Sequence, residues 1–178
     1  HFAFNNTGDK AKILDISNWG DNAWSSMEGS FYGCSNLNMT ATDAPDLSNA
    51  TSMQSVFRSA TIFNGNISNW DTSNIQNMAL AFMSASSFNQ PIGNWDTSSV
   101  TTISGMFISA LVFNQSLNGW DTSNVALMNN VFGSAPQFNG DISDWDTTSV
   151  TQMSGMFWGA TAFNQDISEW EMPICTTM

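Results

Sequence analysis

Large apolar residues recur along this chain at one spacing. Met53, Met78, Ile103, Met128 and Met153 form one series, and Phe57, Phe82, Phe107, Phe132 and Phe157 a second. Ala60, Ala85, Ala110, Ala135 and Ala160 form a third, Phe63, Phe88, Phe113, Phe138 and Phe163 a fourth, and Ile67, Ile92, Leu117, Ile142 and Ile167 a fifth. Tryptophans stand at 70, 95, 120, 145 and 170, so the period is 25 residues without a slip. A period of this length predicts a solenoid in which each repeat is one coil stacked on the last. Stacked β-coils lie about 4.8 Å apart, so each side chain meets its own equivalent and the five ladders make a continuous dry core.

Within a coil, Ile75, Met78, Phe82 and Ala85 run i, i+3, i+7, i+10, the spacing of one helical face. Asp71-Thr72-Ser73-Asn74 just before them is rich in N-cap residues, and the ladder Asp71, Asp96, Asp121, Asp146 is expected to cap the helical turns. The opposite limb, Phe88 to Trp95, holds Asn, Pro and Gly around Ile92 and suits only a very short strand. The expected fold class is therefore an α/β repeat solenoid of 25-residue units, with short parallel strands on one side and short helical turns on the other. A ladder of Asn64, Asn89, Asn114, Asn139 and Asn164 is placed to satisfy backbone groups at the turns.

Residues 1–18 do not repeat and read as an N-terminal cap, a strand or hairpin around the turn Asn5-Asn6-Thr7-Gly8-Asp9. Residues 19–44 are a degenerate first coil, in which Met27, Phe31, Cys34 and Leu37 match Met53, Phe57, Ala60 and Phe63 with an offset of 26. Residues 45–178 are regular coils, with Pro45 in the first tryptophan position and the last coil incomplete. Cys175 and Met178 align with Val150 and Met153, so both are expected in core ladders, with further coils or another molecule covering that end.

Phe163-Asn-Gln-Asp-Ile-Ser-Glu-Trp170 and Trp145-Asp-Thr-Thr-Ser-Val-Thr-Gln-Met-Ser-Gly-Met-Phe157 resemble the repeats of the BspA-like leucine-rich-repeat surface proteins. Trp19-Gly20-Asp21 through Tyr32-Gly33-Cys34-Ser35-Asn36-Leu37 is similar to that family's first unit. The resemblance spans roughly residues 10–178 and departs at Pro45 and at Glu171-Met172-Pro173. It implies a right-handed leucine-rich-repeat-like solenoid on a secreted or cell-surface protein, used for adhesion or interaction. It carries over no catalytic residue.

Charge narrows the partners. The 178 residues include three Lys and Arg against fifteen Asp and Glu, for a net charge of −12. Lys10, Lys12 and Arg58 cannot neutralise a phosphate backbone, so nucleic acid is excluded as a partner, and anionic lipid is disfavoured. No apolar run reaches the roughly 20 residues of a membrane-spanning helix, so no membrane insertion is expected in this segment. Cys34 and Cys175 should lie near opposite ends of the stack, too far apart for an intrachain disulfide.

Candidate chemistry is sparse. The sole histidine is His1, and no Ser/His/Asp set, Cys-X-X-Cys or phosphate loop occurs, so no catalytic residue and no cofactor is expected. Asp141 and Asp166 could be drawn as a glycosidase pair, but they are equivalent positions of adjacent coils and read better as a solvated face. The edge Asp141, Asp144, Asp166, Glu169 offers oxygens of the kind Ca²⁺ takes. Asn-X-Ser/Thr sequons at Asn5, Asn38, Asn49, Asn66 and Asn114 are candidate glycosylation sites in a eukaryotic secreted setting, or chance matches in an Asn/Ser/Thr-rich chain.

The position after the first ladder phenylalanine varies: Arg58, Met83, Ile108, Gly133, Trp158. Such variation fits an outward position. Leu80, Met83, Ile108, Leu111, Val112, Leu127 and Trp158 are therefore the candidate interaction patch, for a protein or glycan partner or a copy of the chain itself. The expected function is a non-enzymatic extracellular or cell-surface repeat protein mediating adhesion or interaction. The alternatives are a structural subunit stacked head to tail into a filament and, less favoured, a carbohydrate-active enzyme.

Overall fold

Residues 77–85 have helical spacing but do not form a helix. In this computed structural model, which describes residues 2–171, their N–H groups point alternately in two directions. Met78, Leu80, Phe82 and Ser84 donate to the carbonyls of Thr102, Ser104, Met106 and Ile108 in the next unit, at 2.7–3.0 Å. Ala81, Met83 and Ala85 donate three residues back, to Met78, Leu80 and Phe82. Each unit is thus a run of linked β-turns whose alternate amides bond to the unit above. Leu80 and Ser84 have φ of 59° and 58°, and matching positive φ values recur at Ser55 and Ser59, Gly105 and Ser109, Asn130 and Ser134, and Gly155 and Gly159. A left-handed residue at every fourth position interrupts any i→i−4 ladder.

The expected α/β solenoid class is therefore corrected. Among the described residues the only helix is a single 3-10 turn at Lys10–Lys12. The only strands are β1 (Asp15–Ile16) and β2 (Asn38–Met39), paired in parallel. Beyond them, single parallel bridges link Ser52, Asn77, Thr102, Leu127 and Gln152 in succession. These bridges open the turn run; they do not lie on the Phe88–Trp95 limb, where strands were expected and none forms. That limb is tied across units by side chains. Asn64 Oδ1 accepts from Asn89 N at 2.9 Å, and the same bond repeats from Asn89 to Asn114, Asn139 and Asn164. The Asp ladder caps no helix either. Asp96 Oδ1 accepts from Ser98 N and Oγ at 3.0 and 2.6 Å, a local Asx turn that recurs at Asp71, Asp121 and Asp146.

The ladder residues stack as the period requires. Phe82, Phe107 and Phe132 follow one another at ring-centroid distances of 5.7 Å with planes within 6°. Each lies 3.6–4.0 Å from the second phenylalanine of its unit, Phe88, Phe113 or Phe138. The ladders are fully enclosed through the middle units, while Met153, Phe157, Phe163 and Ile167 in the last described unit are only partly buried. The tryptophans do more than fill space. Trp95, Trp120, Trp145 and Trp170 Nε1 donate to the carbonyls of Ile67, Ile92, Leu117 and Ile142, 28 residues back. A buried threonine column does the same forward: Thr72, Thr97 and Thr122 Oγ1 donate to Asp96, Asp121 and Asp146 carbonyls at 2.8–2.9 Å.

Of the strand or hairpin expected over residues 1–18, a strand is present and no hairpin. Asp15–Ile16 instead pairs in parallel with Asn38–Met39. Phe4 N and Asn6 N donate to the Ser30 and Tyr32 carbonyls. Those carbonyls match Val56 and Arg58, which accept from Phe31 and Gly33 in the next row, so residues 4–6 stand in for a preceding unit. Pro45 leaves the first tryptophan slot without an indole, and Trp19 packs edge-on against Trp70 at 5.2 Å there. His1 and the expectations for Cys175 and Met178 lie outside the described residues.

Candidate interaction surface

The turn run places one variable residue per unit directly above its equivalent. Gly33, Ser59, Ser84, Ser109 and Ser134 N–H groups bond the carbonyls of Arg58, Met83, Ile108, Gly133 and Trp158 at 2.6–2.9 Å. Tyr32, Arg58, Met83, Ile108, Gly133 and Trp158 therefore form a single column along the stack. The Arg58 guanidinium lies 4.7 Å above the Tyr32 ring. Met83 and Ile108 are half-buried, Gly133 is buried, and Trp158 is 73% exposed. Leu80 and Ile108 converge over Gly105: a Cβ placed there would lie 2.6 Å from Leu80 Cδ2 and 2.9 Å from Ile108 Cδ1.

The remaining patch residues lie at the margins of this face. Leu127 is half-buried and bridges Thr102 and Gln152 at the start of the turn run. Leu111 is 45% exposed and Val112 half-buried, just past Ala110 where the run ends. Ile62, 53% exposed at the position equivalent to Val112 two units further down the stack, belongs with them and was missed by the sequence reading. Its signal was available, because position 62 varies as Ile, Ser, Val, Gln, Ala through the units.

Charge is nearly absent from this face in a way that composition alone does not reveal; Glu28, in the Tyr32 unit, and Arg58 are the exceptions. Segments 76–88, 101–113, 126–138 and 151–163 contain no Asp, Glu, Lys or Arg, and segment 51–63 contains Arg58 alone. The carboxylates sit half a unit away. Asp96 and Asp146 are held below the usual carboxylate range by hydrogen bonds from Ser98 and Thr148.

The other candidate residues have the following surroundings. Asp141 and Asp166 each use Oδ1 to accept the N–H of the serine two residues on, at 3.0 Å, and those bonds hold both carboxyls below the usual range. Groups so placed stay ionised at neutral pH, the wrong state for a general acid. Asp144 Oδ2 accepts from Asn118 Nδ2 at 2.8 Å. A shallow groove runs past Ser143, Asp144, Trp145, Asp166 and Glu169, but among the described residues no group of three or more His, Cys, Asp or Glu is placed to hold a metal ion.

The sequon asparagines Asn5, Asn38, Asn49, Asn66 and Asn114 are all exposed. Asn114 Oδ1 serves the asparagine ladder and Asn66 Oδ1 accepts from Ser68 N, so both side chains are engaged in the fold. Cys34 is a free, buried thiol that desolvation pushes up to about 12, which keeps it unreactive. Among the described residues no helix is long and apolar enough to cross a membrane.

Comparison with curated proteins gives no match, and comparison with solved structures gives none. The family model described as "Mycoplasma protein of unknown function, DUF285" matches twice, over residues 25–126 and 91–178. The two overlapping matches run from the degenerate first unit through the regular ones, as a repeat family requires. The chain belongs to the DUF285 family, a repeat family of unknown function.

Proposed function

We propose that this chain is a non-catalytic, surface-exposed repeat segment that binds a protein or glycan partner through its variable, charge-poor face. The observation that carries this reading is the contrast between the two limbs of each unit. One limb repeats nearly the same residues, Asn-Trp-Asp-Thr-Ser, and spends them on the scaffold's own hydrogen bonds. The other varies from unit to unit at the column positions, where it carries Met83, Ile108 and Trp158, and at their margin, where it carries Leu111. A regular scaffold that presents a varied apolar face is the usual design of repeat binding proteins. The likeness to BspA-like surface repeats in the Trp-Asp-Thr-Ser and Met-Phe motifs supports a place at the cell surface and an adhesive role.

The test is a binding survey of the purified chain on immobilised extracellular-matrix proteins and on a glycan array, alongside Ile108→Asp and Trp158→Ala. Both changes are on the surface column and should leave the melting temperature within a few degrees. The expected result is a ligand whose binding falls at least tenfold in both variants. Ligand binding untouched by both, or lost only on changing the Asp96 and Asp121 limb, would overturn the reading.

A further inference from the structure

One corner of the stack departs from the scaffold's own hydrogen-bond pattern. Trp95, Trp120, Trp145 and Trp170 each donate Nε1 to a carbonyl 28 residues back. Trp19 and Trp70, which meet edge-on at 5.2 Å, bury the same nitrogen without a partner. Idle buried donors are rare in folded proteins, and local rules are broken mostly at functional sites. Trp24, 5.8 Å from Trp19, is one wall of a cavity of about 250 Å³, lined also by Phe2, Asn22, Ala23 and Ser25. We propose that this cavity binds a neutral pyranose sugar. It belongs to the first unit, whereas Trp158 of the variable column stands in the last described one. It is therefore a second site and does not rest on the reading above.

Both aromatic walls are held by the fold. Trp24 N donates to Asp46 O at 2.8 Å, and the Trp24 ring meets Trp19 at an interplanar angle of 73°. The loop before it is anchored by Asp43, whose Oδ2 accepts from Asn18 Nδ2, Trp19 N and Gly20 N at 2.9–3.2 Å. Phe2 O accepts from Ser30 Oγ at 2.7 Å, and the Phe2 ring lies 5.0 Å from Phe4 and 6.4 Å from Phe31. Even so, Phe2 is 50% exposed and Trp24 only half-buried. Ring surface is thus fixed in place without being covered, and groups fixed beforehand lose less entropy when a ligand arrives.

The chemistry of the lining selects the ligand. A pyranose has a face of C–H bonds and a rim of hydroxyls. The Trp24 and Phe2 rings suit the first, and the exposed Asn22 amide and Ser25 hydroxyl suit the second. No charged residue lines the cavity, and a net charge of −12 repels sialic and uronic acids. An apolar peptide side chain would leave Asn22 and Ser25 without partners, and a cation would find no carboxylate in the lining. Sites for drug-sized ligands hold roughly 300–1,000 Å³, so this smaller cavity suits a single sugar ring, bound weakly.

The experiment is saturation-transfer NMR titration of the full chain with the methyl pyranosides of glucose, galactose, mannose and N-acetylglucosamine. Glucuronic acid, tetramethylammonium and N-acetyl-leucinamide serve as ligands of other chemistry. At least one neutral pyranoside should bind in the millimolar range, with transfer strongest to the C–H protons of one ring face. Phe2→Ala and Asn22→Ala should each weaken it about three- to tenfold. Both side chains are exposed, so the melting temperature should stay within a few degrees. Ile108→Asp and Trp158→Ala should leave pyranoside binding unchanged. No transfer to any neutral pyranoside, binding unaltered in both Phe2→Ala and Asn22→Ala, or tighter binding of any of the three other ligands overturns the proposal. If matrix or glycan-array binding still falls in Ile108→Asp and Trp158→Ala, the variable-face reading stands and only this site falls. If pyranoside binding follows Phe2 and Asn22 while those two column variants keep every partner, this site stands and the variable-face reading falls.

Discussion

Phe107→Ala should cost about 3–5 kcal/mol of unfolding free energy, the range of large aromatic truncations in closed cores. Phe107 is fully buried and stacks on Phe82 and Phe132 at 5.7 Å, on Phe113 at 4.0 Å and beside Trp120 at 6.4 Å. Its removal opens a void with ring walls on every side. These rings are held by backbone rows bonded above and below, so they have little freedom to collapse inward. Urea unfolding followed by tryptophan fluorescence measures the change. The same truncation at Phe157, partly exposed in the last described unit, should cost clearly less. A loss under about 1 kcal/mol at Phe107 would mean that the stacked column is not the core.

Replacing Thr97 and Thr122 together by Val should cost roughly 2–6 kcal/mol, from about 1–3 kcal/mol for each polar group left without a partner. Valine keeps the shape and removes only the hydroxyl. Thr97 and Thr122 are buried, and each donates to a carbonyl of the next unit, Asp121 at 2.9 Å and Asp146 at 2.8 Å. The change strips those two carbonyls of their threonine donor. Calorimetry or urea unfolding of the double variant gives the number. Unchanged stability would show that the threonine column fills space without tying units together.

The period, the five apolar ladders and the asparagine ladder were legible in the sequence because each needs only residue identity at a fixed interval. The turn run was not. Met78, Phe82 and Ala85 point inward at a spacing that both a helix and a chain of β-turns produce, so side-chain periodicity cannot separate them. Backbone conformation can, and its signal lay in small residues: Ser84, Ser109 and Gly159 stand at one positive-φ position, Gly105 and Asn130 at the other. Leu80 hides that pattern, since leucine with φ of 59° is unexpected from its identity. Thr97 and its equivalents were read as capping residues because they precede a helical spacing, when their hydroxyls serve the next unit. On the interaction surface, variability of column 58–158 was visible, whereas the near absence of charge from the turn face emerged only once the limbs were separated in space.

The claim on which the rest depends is that each unit is built from β-turns with left-handed residues, not from helical turns. Ser109 tests it, with φ of 56° and its N–H bonded to Gly133 O at 2.9 Å in the unit above. Unfolding free energies of Ser109→Gly and Ser109→Ala should be compared under identical conditions. A left-handed position favours glycine, so Ser109→Gly should be more stable than Ser109→Ala by about 1 kcal/mol. In a helix the order reverses by a similar amount, about 1 kcal/mol in favour of alanine. An alanine variant more stable than the glycine variant would contradict the turn-built unit.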